Sequence, residues 1–426
     1  MGTRGNVVMA AIGDTLASIG KALYGAWYTL ESWTIIPLAE ILMRLWYRLD
    51  PRVYSERLRV RSVTAGKADK KSQKYAVLVI YTNSPLASFT ANMINAIGRS
   101  DINLVVVANG PITPLLRAQL LDACYVLIER SNVGRDFGAY KDAANILMRS
   151  EKDVDRLILM NDSMFFFERG LGKLIADLDG EDEFIGLTEV FEYHYHVQSF
   201  LLSFGFHAVR SRAFRKFWKS YKPIGTRRWS IHKGEVSLTR HMTKAGFRPH
   251  ILFQAAQLIP HLRPRPVRDV LESVRLLPSY CRPLLYREFD TFIGAEGFSA
   301  TDFEAISQGV RPIGPSNRPA GLPGIHGQLE TMDRWNFEIF GNRLISLIAK
   351  RNQVHVGGFL FMKYLGLPAI KRDIFYRSVY SLEEVYRILS DFNEPLRDEV
   401  MADLRRAGTS MHFKGLRRIL HSHGSI

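Results

Sequence analysis

Along the chain, apolar runs of strand length alternate with stretches whose apolar positions recur every three to four residues. Residues 75–81, Tyr75-Ala76-Val77-Leu78-Val79-Ile80-Tyr81, form a continuous apolar run that stops at Thr82-Asn83-Ser84-Pro85, a loop-forming cluster. Residues 87–98 carry helical spacing, 103–108 form a second apolar strand closed by Asn109-Gly110-Pro111, and 125–129 form a third. A fourth, 156–160, ends at Asn161-Asp162-Ser163. Strands apolar on both faces and separated by helices predict βαβ units and a parallel sheet covered on both sides. The expected class is therefore α/β, a sheet flanked by helices.

The pattern differs outside this block. Residues 32–49 read as an amphipathic helix, with Ile35, Leu38, Ile41, Leu42 and Leu45 on one face and Glu40, Arg44 and Arg48 on the other. The apolar face is expected to pack on its own domain. Contact with a membrane surface is the alternative, because Trp33, Trp46 and Tyr47 lie near the helix ends and Arg48, Arg52, Arg57, Arg59 and Arg61 come at or after its end. A polar, Lys-rich linker spans 65–73. Residues 260–327 are rich in Pro, Gly and Arg, and helical spacing resumes over 337–350 and 381–406. The chain thus divides into an N-terminal helical segment and linker (1–73), a catalytic-type domain (74–259), an insertion or connection (260–336) and a C-terminal helical region (337–426).

Composition narrows the partners. A chain of 426 residues buries at least one large core. Its net charge of +15 favours an anionic partner such as a phosphorylated substrate or lipid headgroups. Nucleic acid is not expected, since no zinc-knuckle, aromatic RNA-recognition or basic-helix motif accompanies the charge. The two cysteines, Cys124 and Cys281, suit neither a disulfide framework nor a thiolate zinc site. The chain has neither an apolar stretch long enough to span a membrane nor the blocked pattern of a secretion signal, so an intracellular location is expected. The basic run Lys414-Gly415-Leu416-Arg417-Arg418-Ile419-Leu420-His421 reads as a solvated tail.

In open α/β sheets the ligand crevice lies beyond the carboxyl ends of the strands. Thr82, Asn83 and Asn109 are candidates on that ground. So is Asn132-Val133-Gly134-Arg135-Asp136, where glycine permits close backbone approach, Arg135 can engage a diphosphate and Asp136 can accept from ribose or sugar hydroxyls. Asn161, Asp162 and Ser163 end the fourth strand, and Asp162 could ligate Mg²⁺ or Mn²⁺. Glu192, His194 and Gln198 fall in an aromatic stretch suited to contacting an acceptor sugar. His194 and His196 make too small a set for zinc.

These motifs are similar to those of the rhamnan synthesis protein F family of polysaccharide glycosyltransferases. The likeness rests on Asn132-x-Gly134-Arg135-Asp136, Leu159-x-Asn161-Asp162-Ser163, Gln198-Ser199-Phe200, and Glu235 ahead of Leu238 and Gly246. It extends to Asn352-Gln353-Val354-His355 and Gly366-Leu367-Pro368-Ala369-Ile370-Lys371-Arg372. The resemblance implies a GT-A-like Rossmann-type sheet and a nucleoside-diphosphate-sugar donor, with rhamnose or another deoxyhexose as the sugar. It also implies a glycan or lipid-linked acceptor, and a site at the cytoplasmic face of a bacterial inner membrane. Inversion would use Glu235 as general base, with His241 a lesser candidate, Asp162 at the departing diphosphate with or without Mg²⁺ or Mn²⁺, and His355 beside the acceptor. One aspartate stands where many such enzymes carry two. A catalytically inactive nucleotide-sugar or glycan-binding scaffold is the rival reading.

Overall fold

The computed structural model describes Thr34 and residues 36–81, 86–151, 153–192, 194–265, 267–282, 285, 337–377, 379–392 and 394–407. Trp33, the tail at 414–421 and most of the 260–336 region lie outside them.

The apolar runs become the centre of one mixed sheet of eight strands among the described residues. Strand β1 (Val60–Ala65) extends that sheet into the N-terminal region, pairing antiparallel with β4 (Val126–Arg130). Its alternating half-buried and exposed positions belong to an edge strand, a weaker signal than a buried run. Strands β2 (Lys74–Ile80), β3 (Asn103–Asn109), β4 and β5 (Arg156–Asn161) are all mutually parallel. Strand β10 (Leu201–Gly205) runs antiparallel to both β5 and β7 (Phe184–Gly186), and β11 (His250–Ile251) closes that side. The order across the sheet is β1-β4-β3-β2-β5-β10-β7-β11. The expected α/β class, a Rossmann-type sheet flanked by helices, is present. Chain order steps from β2 through β3 to β4 and then returns to the other side of β2 for β5, so the strand order reverses between β2 and β5. The crevice beyond their carboxyl ends is where such sheets hold ligands.

Alternate side chains of β2 feed two cores. Ala76, Leu78 and Ile80 face helices α2 (Ser88–Gly98), α3 (Pro114–Ala123) and α5 (Leu171–Leu178), while Tyr75, Val77 and Val79 face α4 (Arg135–Ser150), α6 (Arg212–Ser220) and α7 (Val236–Lys244). This two-sided cover is why the strands read as unbroken apolar runs.

Among the described residues, two short pairings stand beside the main sheet. Strand β8 (Glu189–Val190) pairs antiparallel with β9 (His196–Val197). Strand β12 (Ala369–Lys371), from the C-terminal region, pairs antiparallel with β6 (Met164–Phe166), immediately after Asn161-Asp162-Ser163. Helices α8 (Phe337–Ala349), α9 (Gln353–Leu360), α10 (Leu382–Ser390) and α11 (Glu394–Ala407) bring the rest of that region onto the α2 side of the sheet.

Helix α1 (Ile36–Leu49) forms as expected but with the opposite orientation. Glu40 is only 3% exposed, whereas Leu38, Ile41, Leu42, Leu45, Trp46 and Leu49 are 50–80% exposed. Its inner face packs through Tyr47, beside Ile224 and Trp229, and through Arg44, which bonds Glu40 at 2.7 Å and lies over the Trp229 ring. The expectation that the apolar face packs on the domain is overturned: Glu40 and Arg44 satisfy each other against the body and leave the leucines outward.

Candidate functional site

The loop from β4 to α4 is held from beneath. Arg130, the last residue of β4, is fully buried; its Nη2 donates to the Val133 carbonyl at 2.7 Å and its Nε to Asp142 Oδ2 at 3.0 Å. Asp142, in the second turn of α4, also accepts from buried Arg59. Arg130 bonds Asn109 Oδ1 as well, and Asn109 Nδ2 donates to Asn132 Oδ1 at 2.9 Å. Asn109 is thus taken up in shaping the loop, and Asn132 is exposed at its edge.

Two residues then turn through the left-handed region. Gly134 has φ +82°, and a Cβ there would meet Pro223 Cβ at 2.3 Å. Arg135 comes next at φ +55°, an uncommon conformation for a residue with a side chain and one that concentrates at functional sites. The turn sends Arg135 and Asp136 into a cavity of ≈ 580 Å³. The cavity lies at the carboxyl end of β5, where Asn161 Nδ2 donates to Asp136 Oδ2 at 3.0 Å. Burial raises the Asp136 carboxyl against the pull of Arg135 and Lys371.

Glu235 comes from a separate segment packed against the start of α4. It ends a π-helical turn, Ser230–Glu235, in which the Val236 N–H reaches back to the Ile231 carbonyl. Such turns recur at functional sites. The turn rests on the Phe137 ring at Gly234, where a Cβ would come within 2.8 Å. Glu235 Oε1 accepts from Ser199 N–H at 3.0 Å and Ser199 Oγ at 2.7 Å, and Oε2 lies 3.6 Å from His196 Nε2. His196 Nδ1 is 2.8 Å from the His194 carbonyl, which can only accept, so the proton on that side sits on Nδ1.

The third wall comes from the C-terminal region. Through β12, Lys371 Nζ donates to Ser163 Oγ at 2.6 Å and lies 4.8 Å from the centre of the Phe200 ring. Arg372 donates from its backbone to the Ser163 carbonyl and from Nη1 to the Asp162 carbonyl. Asp373 Oδ1 lies 3.1 Å from His355 Nε2 and its Oδ2 3.8 Å from Arg227 Nη1. Burial lowers the Lys371 ammonium while Asp373 and Asp136 oppose it. Burial also opposes ionisation of Asp373, but His355, Lys371 and Arg227 outweigh it and hold that carboxyl well below its usual range.

Of the residues expected from sequence, Arg135, Asp136, Asn161, Ser163, Glu192, Gln198, Glu235 and His355 line this one cavity. Thr82 and Asn83 lie outside the described residues. Asp162 is not in the lining; its Oδ2 accepts from Tyr81 N–H at 3.0 Å at the end of β2. Burial raises its carboxyl, against the Tyr81 N–H and Arg372. His194 contributes its carbonyl while its ring is exposed, and His196 takes the place beside Glu235. His241 bonds the Ser237 carbonyl within its own helix. Arg227, Lys371 and Asp373 line the cavity too. The available signal was an apolar run, Leu367-Pro368-Ala369-Ile370, stopping at Lys371-Arg372-Asp373, which repeats the pattern of strand β5 stopping at polar residues.

Among the described residues, no group of three or more His, Cys, Asp or Glu side chains could hold a metal ion, and no helix is long and apolar enough to cross a membrane.

Residues 104–274 match the model of the family described as rhamnan synthesis protein F. Protein y4gN of Sinorhizobium fredii is 25% identical over 289 residues, covering 66% of this chain and 71% of that protein. Virulence protein VirA of Vibrio anguillarum is 36% identical over 143 residues, which is 32% of this chain and less than half, 45%, of the relative. Among solved structures, one from Desulfovibrio desulfuricans assigned as a nucleotide-diphospho-sugar transferase is 13% identical, with a TM-score of 0.27 and coverage of 41% of this chain and 78% of that one. The glycosyltransferase GlyE of Streptococcus pneumoniae is 11% identical, with a TM-score of 0.27 and 64% of each chain covered.

Proposed function

We propose that this chain, whose residues 104–274 carry the rhamnan synthesis protein F pattern, transfers a sugar from a nucleoside diphosphate to a hydroxyl of a glycan or lipid-linked acceptor. The observation that carries the reading is that one cavity is lined both by Arg135 at the start of α4 and by an oriented carboxylate, Glu235. The family's description favours rhamnose or a related deoxyhexose as the sugar.

The chemistry is a single displacement with inversion. The acceptor oxygen attacks the anomeric carbon and gives its proton to Glu235, which Ser199 holds in a fixed orientation. As the new bond forms, the bond to the diphosphate oxygen breaks and the diphosphate leaves with the electron pair. Arg135 and the first N–H groups of α4 meet that developing charge. Gln198, Glu192 and His355 line the acceptor side.

Turnover of a panel of nucleoside-diphosphate sugars, with transfer or slow hydrolysis as readout, tests the assignment. Glu235→Gln is expected to lower turnover by about 10²- to 10⁴-fold while leaving nucleoside-diphosphate affinity unchanged. Full turnover in that variant removes Glu235 from the role of base.

The same proposal places the protein on an anionic membrane surface, at the cytoplasmic face if the acceptor is lipid-linked. Its support is the outward apolar face of α1 together with the exposed Arg48, Arg52, Arg57 and Arg61 beside it. The inner face of α1 packs on the segment that carries Arg227 and Glu235, so a surface bound there would lie close to the cavity.

A further inference from the structure

The strand-end residues Asn161-Asp162-Ser163 stand where a donor's diphosphate would meet a divalent cation, yet Asn161 Oδ1, Asp162 Oδ2 and Ser163 Oγ are already hydrogen-bonded within the protein. A hard cation such as Mg²⁺ takes about six oxygen ligands. Asn161 Oδ1 accepts from the Ser163 N–H and hydroxyl, Asp162 Oδ2 accepts from Tyr81 N–H, and Asp136 Oδ2 accepts from Asn161 Nδ2. Asp373 is drawn to His355, Arg227 and Arg377. Ser163 Oγ accepts from an ammonium group, Lys371 Nζ, at 2.6 Å. A divalent ion bound at Ser163 would have to displace that ammonium or sit against it. The donor set does not fit a metal.

We propose that in this chain Lys371 supplies the positive charge beside the donor's diphosphate that a metal ion supplies elsewhere, with Arg135 and Arg227 lining the same cavity. The inference rests on the nucleoside-diphosphate-sugar reading above. Lys371 is held by β12 pairing with β6, so its position is set by backbone register, Lys371 opposite Met164, and the backbone bond of Arg372 to the Ser163 carbonyl locks that register. The Phe200 ring beneath the ammonium leaves it few polar partners of its own. Among the described residues, Lys371 shares the cavity with four arginines, Arg135, Arg227, Arg351 and Arg377, and with the carboxylates Asp136, Glu192, Glu235 and Asp373. Residues 371–373 lie beyond the 104–274 span that the family model matches, so the matched span by itself does not contain this counter-charge.

Calorimetric titration of the full chain with UDP, dTDP and GDP, with inorganic pyrophosphate and with the corresponding free nucleosides tests this. Each is measured in EDTA and in Mg²⁺ or Mn²⁺. Diphosphate binding is expected to persist in EDTA and to weaken about ten- to hundredfold in Lys371→Met. Lys371→Arg is expected to recover part of the loss, and nucleoside binding to remain the same in all three proteins. Binding that collapses in EDTA and returns with the metal overturns the proposal, as does undiminished affinity in Lys371→Met. If Lys371→Met does not fold, the EDTA arm on the unaltered protein still decides. Absence of binding to every nucleoside diphosphate, with metal or without it, defeats the transferase reading itself and this inference with it.

Discussion

Asp142 bridges two buried arginines, Arg59 from the N-terminal region and Arg130 from the end of β4, and all three side chains are at most 2% exposed. Arg130 in turn carries the Val133 carbonyl, so the loop that presents Arg135 is tied to a segment more than seventy residues earlier in the chain.

Removing the anion from that triad leaves two buried cations with only neutral hydrogen-bond acceptors and no counter-charge. Asp142→Ala is expected to destabilise the protein by about 3–5 kcal/mol. Denaturant unfolding of wild type and variant measures it. A loss below about 1 kcal/mol would mean that water reaches the arginines and that the triad does not brace the loop.

Gly134 sits at φ +82° against Pro223. Gly134→Ala is expected to cost on the order of 2 kcal/mol or more, from backbone strain and the displaced proline together. Nucleoside-diphosphate affinity should fall with it, because the neighbouring Arg135 depends on the same turn. Thermal unfolding and calorimetric binding check both effects, and an unchanged melting temperature would contradict the geometry.

Asp373 gives stability a definite pH dependence. Its folded-state carboxyl is depressed below the unfolded value, so its contribution is present above the usual carboxylate range near pH 4 and is lost as pH falls through that value toward the folded one. The stability gap between wild type and Asp373→Asn is therefore expected to be widest at neutral pH and to narrow steadily below about pH 4. Melting temperatures from pH 3 to pH 7 show it. A gap that is constant across the range would mean that the carboxylate gains nothing from His355, Lys371 and Arg227.

Helix α1 predicts a surface-binding behaviour that can be separated from folding. Leu42→Glu with Leu45→Glu is expected to leave thermal stability nearly unchanged, since the two side chains are 58% and 50% exposed. The pair should lower sedimentation with phosphatidylserine-containing vesicles at least tenfold, two lost apolar contacts and added like-charge repulsion acting together. Equal vesicle binding rules out the membrane face. Loss of a concentration-dependent dimer in the variant would assign that face to a second copy of the chain.

Local pattern in the sequence determined the central sheet and the ends of its strands. Strands buried on both faces must be continuously apolar, so β2 to β5 were legible, and each such strand must end in polar residues where the crevice opens, which located Arg135, Asp136, Asn161 and Ser163. Glu235 and His355 came from resemblance to a family rather than from periodicity. The tertiary structure decided everything that depends on distant segments meeting. Whether His194 or His196 faces Glu235 turns on where β9 begins: it holds only His196 and Val197, leaves His194 outside, and is too short to read from spacing. Lys371 and Asp373 join the site only because β12 pairs with β6, and nothing local to residues 371–373 specifies that register; Arg227 arrives with the segment that leads into Glu235. The orientation of α1 depended on the body's surface: its two faces are equally visible in sequence, but only the fold supplied a partner for Tyr47, Arg44 and Glu40 and none for the leucines among the described residues.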